Sequence, residues 1–444
     1  MKKTIALLCT ALMLLGMGLL TGCRREAAKG TIYYLNFKPE SAEIYADIAK
    51  AYEKETGIKV KVSTAASGEY EQTLKSEMAK SDAPVLFQIN GPKGYAAWKD
   101  YCADLSETEL YKHLTDKDLA IKSDGKVYGI PYVVEGYGII YNAEILNRYF
   151  ALKNRQSDVD SVEEIVNFAT LKSVVEDMTR RKKELGIDGV FAATSLKSGE
   201  DWRWQTHLAN VAISEEFDDN DVDLSTDAAN TITFKYQQEY KNIFDLYLNH
   251  STTDKKLLGS KQVADSMAEF ALGKCAMVQN GNWAWGQIKN VSGNKVDAKN
   301  VKFLPIYTGI DGEEKQGLCI GTENFICINK NATAEQQKMA ADFMYWLYAS
   351  ETGKRFVTDE LGFIAPFDTF DESEQPDDPL ALELLNWMEK DDIHTIPWDF
   401  TVFPGQAFKD DFGAVLLQYA QGTKTWDDVR TTVVDRWKAE ASPK

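Results

Sequence analysis

A chain of 444 residues is longer than one hydrophobic core usually supports, so two domains are expected, and 44% hydrophobic residues suffice to fill both. With 50 basic against 68 acidic residues the formal net charge is −18, a surface that repels nucleic acid and anionic lipid, and no basic run offsets it. Nucleic-acid binding is set aside on that ground, and nothing in the composition calls for disorder.

The N-terminus reads as a targeting segment. Lys2 and Lys3 precede an apolar run over 5–20 that is too short for a comfortable membrane span, and LTGC follows at 20–23. Small residues before a cysteine at that place resemble a bacterial lipobox. Residues 1–22 are therefore expected to be a lipoprotein signal peptide, with lipid on Cys23, a polar tether over 23–30 and the membrane reached through acyl chains. The alternative is an ordinary secretory signal cleaved elsewhere. Loss of two lysines leaves 48 basic against 68 acidic residues, a charge of −20. Besides Cys9 and Cys23 there remain Cys102, Cys275, Cys319 and Cys327, too few for a disulfide scaffold and expected to be buried thiols.

From residue 31 the pattern alternates. TIYYL (31–35) is β-rich and breaks at Asn36; Ser41 then heads a helix with Ile44, Ile48 and Tyr52 inward, closed by Gly57. IKVKV alternates as a strand, SGEY (67–70) opens a helix, and VLFQI (85–89) runs to Asn90, Gly91 and Pro92. Such βαβ alternation implies a parallel sheet, whose ligands bind beyond the carboxyl ends of the strands. Asn36, Glu69 and Asn90 stand at those ends.

VYGIPY (127–132) leads into VVEGYGIIYN, where the chain is expected to pass to a second domain. Leu171, Val174, Val175 and Met178 mark a helical face ended by Gly186; VFAATSL reads as a strand, and EDWRWQTHLANVAI as helix. VKFLPIYTG (301–309) is expected to return the chain to the first domain. GLCIGTENFICIN reads as two strand-like runs around GTEN. Thr333 and Gln336 form a capping-box pair, and LGFIAPFD (361–368) is expected to cross again. The expected lobes are 31–133 with 302–364, and 137–300 with 368–444.

AEFALGKCAMVQNGNWAWGQI (268–288) is the stretch around which function is read: a helix end, a short buried strand, a turn at Asn280 and Gly281, and two indoles. A Trp just beyond a strand-end turn can lie as a flat plate at a cleft wall, and the carbon face of a pyranose fits such a plate. The alternative places Trp283 and Trp285 in the core. FALGKCAMVQNGNWAW resembles the segment of maltose/maltodextrin-binding proteins in which a strand ends in Asn-Gly-Pro-Trp-Ala-Trp, Asn282 standing in place of proline. PYVVEGYGIIYN resembles their first interdomain crossover, and YEKETGIKVKV their first helix and second strand. On these motifs the chain is identified as a member of the bacterial extracellular solute-binding proteins of family 1, the carbohydrate receptors of ABC importers.

The resemblance implies an α/β clamshell of two lobes, like other periplasmic-binding-protein folds, joined by three crossovers and closing on ligand by hinge bending. It assigns Glu135, a crossover glutamate, to the sugar, and it points to aromatics of the C-terminal wall, for which Trp398 and Phe403 are the candidates. From the residues themselves, Trp283 is one stacking plate and Trp202 or Trp204 another, since neighbouring helical residues diverge by about 100° and one of the two must leave the core. Arg203 pairs with Asp201 or Glu200 in solvent, or faces the cleft and favours an acidic sugar. Glu323 joins Asn36, Glu69 and Asn90 by its strand-end position.

The expected function is that of a lipid-anchored, monomeric, non-enzymatic receptor that delivers an oligosaccharide to two permease subunits and their ATPase. The alternatives are a surface glycoside hydrolase using paired carboxylates, and a receptor of the same fold for a charged small molecule. No cofactor or metal is expected. His113, His207, His250 and His394 are scattered, and Asp219, Asp221 and Asp223 imitate a calcium loop that has Leu224 and Asn230 where glycine and glutamate are required.

Overall fold

The structure, a computed structural model, describes residues 30–441 apart from 67, 225 and 372, so the signal segment, Cys23, the tether up to residue 29 and Ser67 lie outside the described residues. Eleven strands are described: β1 (Thr31–Asn36), β2 (Lys59–Thr64), β3 (Leu86–Asn90), β4 (Ile121–Ser123), β5 (Lys126–Pro131), β6 (Glu135–Asn142), β7 (Met277–Gly281), β8 (Val301–Leu304), β9 (Gln316–Gly321), β10 (Asn324–Ile328) and β11 (His394–Ile396).

They form two sheets. The first has the order β2-β1-β3-β10-β5-β4, with β1 parallel to β2 and β3 and with β10 antiparallel to β3 and β5. The helix Ala42–Thr56 connects β1 to β2, burying Tyr45, Ile48 and Tyr52, and ends on Gly57 at φ 74°, a left-handed position open to glycine at little cost. The second sheet has the order β11-β9-β6-β7, and β8 also pairs β6. β9 meets β6 at Glu135, Gly136 and Tyr137, while β8 meets the same edge further on, from Ile139 to Asn142.

The chain passes between the sheets three times. It goes from β5 to β6, from β9 to β10, and from β10 onward to β11. The first passage carries Val134, which pairs with Ile364 of LGFIAPFD, while Phe363 and Phe367 pack in the first lobe's core. The helix Pro379–Met388 then places Leu380, Ala381 and Leu384 against the second sheet.

The return expected at VKFLPIYTG does not occur there. β8 lies antiparallel to β6, with Ile140 opposite Phe303, and β9 stays in the same sheet, so the passage falls at Thr322 and Glu323. The two strand-like runs around GTEN therefore belong to different lobes, and the boundary at 302 is corrected to lie after 321. An apolar run states that a strand is buried and not which sheet buries it. VFAATSL, read as a strand, makes only isolated bridges, Phe191 with Ser251 and with Met277. Cys102, Cys275, Cys319 and Cys327 are buried free thiols.

Candidate binding cleft

β7 delivers its last residues, Asn280 and Gly281, to the junction of the lobes, and Trp283 caps the short helix Ala284–Lys289. Trp283 is half-buried, whereas Trp285 is buried under the second sheet. The turn is anchored by Asn282: its N–H donates to Gly136 O at 2.9 Å, and its side-chain oxygen accepts from Gly136 N at 3.0 Å. A proline there would have no N–H to donate, so Asn282 ties the Trp turn to the first passage in a way that proline does not. Gly281 is bare for a reason, since a Cβ on it would lie 2.2 Å from the Trp283 indole. Gly281→Ala is expected to push that indole aside and weaken ligand binding while the far-ultraviolet circular dichroism stays unchanged.

The second wall comes from WRWQTH. Residues Arg203–Leu208 form a π-helical turn, a feature frequent at functional sites. In an α-helix, residues five apart point about 140° from one another; here Trp202 and His207 meet edge to face at 4.8 Å. Trp202 is half-buried and lies 6.0 Å from Trp283. His207 stacks on Tyr137 of β6 at 4.1 Å and 6° and stands 5.5 Å from Trp283. Trp398 completes the ring set, 6.5 Å from Trp283 and 6.2 Å from His207. Burial, reinforced by Arg203, Lys409 and Lys38, pushes the His207 pKa well below its ordinary value, so its ring is neutral at physiological pH.

Charged side chains line the opposite side. Lys38, from the loop after β1, places Nζ 2.7 and 2.8 Å from the two Glu135 oxygens, and both residues are buried. Burial opposes the charge on both: it pushes the Glu135 carboxyl above its ordinary value, while for Lys38 the carboxylates of Glu135 and Glu40 together outweigh it and raise the pKa. Lys38 also lies 5.9 Å from the Trp283 ring. Asn90 donates to Glu323 Oε1 at 2.6 Å, and Lys409 faces the same glutamate. The lobes touch at the rim, where Lys93 donates to Asn230 at 3.2 Å and Gly68 approaches Gly199 too closely to accept a Cβ. Among the buried polar atoms with no hydrogen-bond partner, four belong to this one cluster: Trp283 Nε1, Trp398 Nε1, Arg203 Nη1 and His207 Nδ1.

The expected site residues thus separate. Trp283, Trp202, Trp398, Arg203, Glu135, Asn90 and Glu323 gather where the two lobes meet. Trp204 does not: it is buried, donates to Ser195 O at 2.9 Å and packs on Phe244. Phe403 is in the core against Trp437 at 4.8 Å. Asn36 is buried and fully engaged with Lys38, Thr64 and Tyr34, shaping the loop that carries Lys38. Glu69 is exposed ahead of the helix Tyr70–Met78. A strand-end position identifies the correct end of a sheet, and whether the side chain points to ligand, loop or solvent depends on partners far away in the chain. Arg203 makes no solvent pair; it is buried, and Nε donates to Asn280 Oδ1 at 3.0 Å. Lys38, Tyr137, His207 and Lys409 carry no local signal that separates them from ordinary core and surface residues.

Asp201, beside the Trp pair, is 4% exposed, and its carboxylate abuts Gly413, where a Cβ would lie 1.8 Å from Oδ2. Burial raises its pKa to about 7. A raised carboxyl contributes stability below its unfolded value, and that contribution is lost as pH rises through the folded one. Unfolding midpoints should therefore fall between pH 5 and about 8, and Asp201→Asn should flatten the dependence; an unaltered profile in the variant would assign it elsewhere.

Two sheet-based lobes joined by three passages, with an aromatic and charged cleft where they meet, define a two-lobed binding protein. Residues 47–383 match the bacterial extracellular solute-binding proteins, and the chain belongs to that family. Its members are receptors rather than enzymes. The melibiose/raffinose/stachyose-binding protein MelE of Bacillus subtilis (strain 168) is 30% identical over 159 residues, which is 34% of this chain and 36% of that protein, so the likeness spans about a third of either. Among solved structures, RafE in complex with raffinose superposes with a TM-score of 0.69 at 18% identity, covering 93% of this chain and all of that one. A sugar transporter of Bacillus licheniformis in complex with stachyose gives 0.64 at 19%, covering 92% and 99%. At such identities these structures establish the fold.

Proposed function

We propose that the protein is the sugar receptor of an ABC importer: held at the outer face of the membrane by lipid on Cys23, it closes on an oligosaccharide and passes it to two permease subunits and their ATPase. The observation that carries this reading is the ring set of Trp283, Trp202 and Trp398, in which the ring N–H groups of Trp283 and Trp398 have no partner, Lys38 lies near Trp283 and Arg203 lies over Trp202. Micromolar binding corresponds to about −8 kcal/mol. Stacked aromatics contribute about 0.5–1.5 kcal/mol each beyond area burial, and hydrogen bonds to charged groups about 1.5–3 kcal/mol each. Two or three of each reach the required total, with Trp283 and Trp202 as plates and Glu323, Lys409 and Glu135 as polar partners.

The names of its relatives make the raffinose series the first sugars to try. Calorimetry with melibiose, raffinose, stachyose, maltotriose and xylotriose should find micromolar binding to at least one, and flat traces throughout would defeat the reading. Anchoring is tested separately: labelling with a radioactive fatty acid should disappear in Cys23→Ala, and persistent labelling would refute it. Among the described residues no helix is long and apolar enough to cross a membrane.

A further inference from the structure

Three cations surround His207, and two of them face a carboxylate. Lys38 holds Glu135, and Lys409 faces Glu323. Arg203 has no ion pair among the described residues. It is 2% exposed, its guanidinium lies 3.8 Å over the Trp202 ring, Nε is taken by Asn280, and Nη1 is buried without a partner. The nearby carboxylates are engaged elsewhere: Glu200 accepts from Val263 N at 2.7 Å, Glu40 lies 3.8 Å from Lys38, and Asp201 abuts Gly413. A desolvated cation without a counter-charge costs several kcal/mol.

The chemistry of the other free atoms points the same way. Trp283 Nε1, Trp398 Nε1 and Arg203 Nη1 donate only, three unpartnered donors against one unpartnered acceptor, Gln279 Oε1, whose amide donates to Arg203 O at 2.8 Å. An ionised carboxylate is the acceptor-only group that meets such a set, and Arg receives it with the strongest geometry.

We infer that the sugar bound in this cleft is acidic, a uronate-bearing oligosaccharide whose carboxylate is received by Arg203 while its rings lie on Trp202 and Trp283. The inference rests on the oligosaccharide reading above and narrows it. The test is calorimetry with matched pairs: xylotetraose against glucuronosyl-xylotriose, and galactotriose against trigalacturonate. In at least one pair the acidic member should bind about tenfold tighter or more, the scale of one charged hydrogen bond. Arg203→Met should bring the acidic and neutral members of that pair to within about threefold of one another, and Arg203→Lys should keep part of the margin.

Arg203→Met should also raise the unfolding midpoint of the ligand-free protein, because it removes an unpaired buried charge, whereas a structural arginine would lower it. Asn280 Oδ1 keeps its bond from Gly281 N, so no acceptor is orphaned. Equal binding within both pairs by the native protein, or equal loss of neutral and acidic sugar in Arg203→Met, would overturn the inference and leave the oligosaccharide reading standing. Absence of binding by every sugar would overturn both.

Discussion

Trp283→Ala should lower sugar affinity by about a hundredfold or more and leave the protein folded. Truncating a buried Trp anchor at a binding site commonly costs 2 kcal/mol or more, and about 2.8 kcal/mol is a factor of a hundred. Trp283 is half-buried, and its contacts are with Trp202, His207 and Trp398, so its removal strips the cleft wall of the ring that the others face. Its neighbour in sequence pattern serves as control. Trp204 is 1% exposed and wedged against Phe244 and Tyr247, so Trp204→Ala should destabilise by about 3–5 kcal/mol through the cavity it leaves. Calorimetry and thermal unfolding of both variants separate plate from core; unchanged sugar affinity in Trp283→Ala would dismiss the ring as a ligand surface.

Lys38→Met should be the most destabilising single change at the cleft. It leaves Glu135 as a buried, unpaired carboxylate, and breaking a buried pair from one side costs about 3–5 kcal/mol. Because Lys38 belongs to the loop after β1 and Glu135 opens β6, that cost falls on the junction between the lobes. Replacing both ends, as Lys38→Met with Glu135→Leu, should recover most of the loss, since well-packed apolar groups of similar volume stand in for buried ion pairs at little cost. Urea unfolding of the two single variants and the double variant measures this coupling directly. If the single variants shift the midpoint by no more than surface substitutions do, the pair is not what holds the passage in place.

Much of the fold was legible because local chemistry and tertiary packing agree. Gly57 closes its helix in the left-handed region, Thr333 and Gln336 bond reciprocally as a capping box, and β1 through β3 alternate with helices in a parallel arrangement. The first passage was legible for a similar reason: an apolar run interrupted by Glu135 and Gly136 ends one strand and begins another. The second passage was misplaced by some twenty residues, because β8 reads as well for one sheet as for the other and only its pairing with β6 distinguishes them.

The cleft divides along the same line. Residue order alone singled out Trp283, the Trp202/Trp204 alternative and Arg203, since an indole beyond a strand-end turn and two indoles in one helical start are local facts, whereas Glu135 was named by the resemblance of its crossover segment to the maltose/maltodextrin-binding proteins. Which indole leaves the core depended on a π-helical turn that sets Trp202 against His207 and turns Trp204 inward. That Glu135 holds a lysine ninety-seven residues earlier in the chain, while Arg203 holds no carboxylate, follows from two lobes brought together at one edge. Helix, strand and cap are governed by interactions over a few residues, which a linear pattern records; ion pairing across a cleft is governed by distance through space, which it does not.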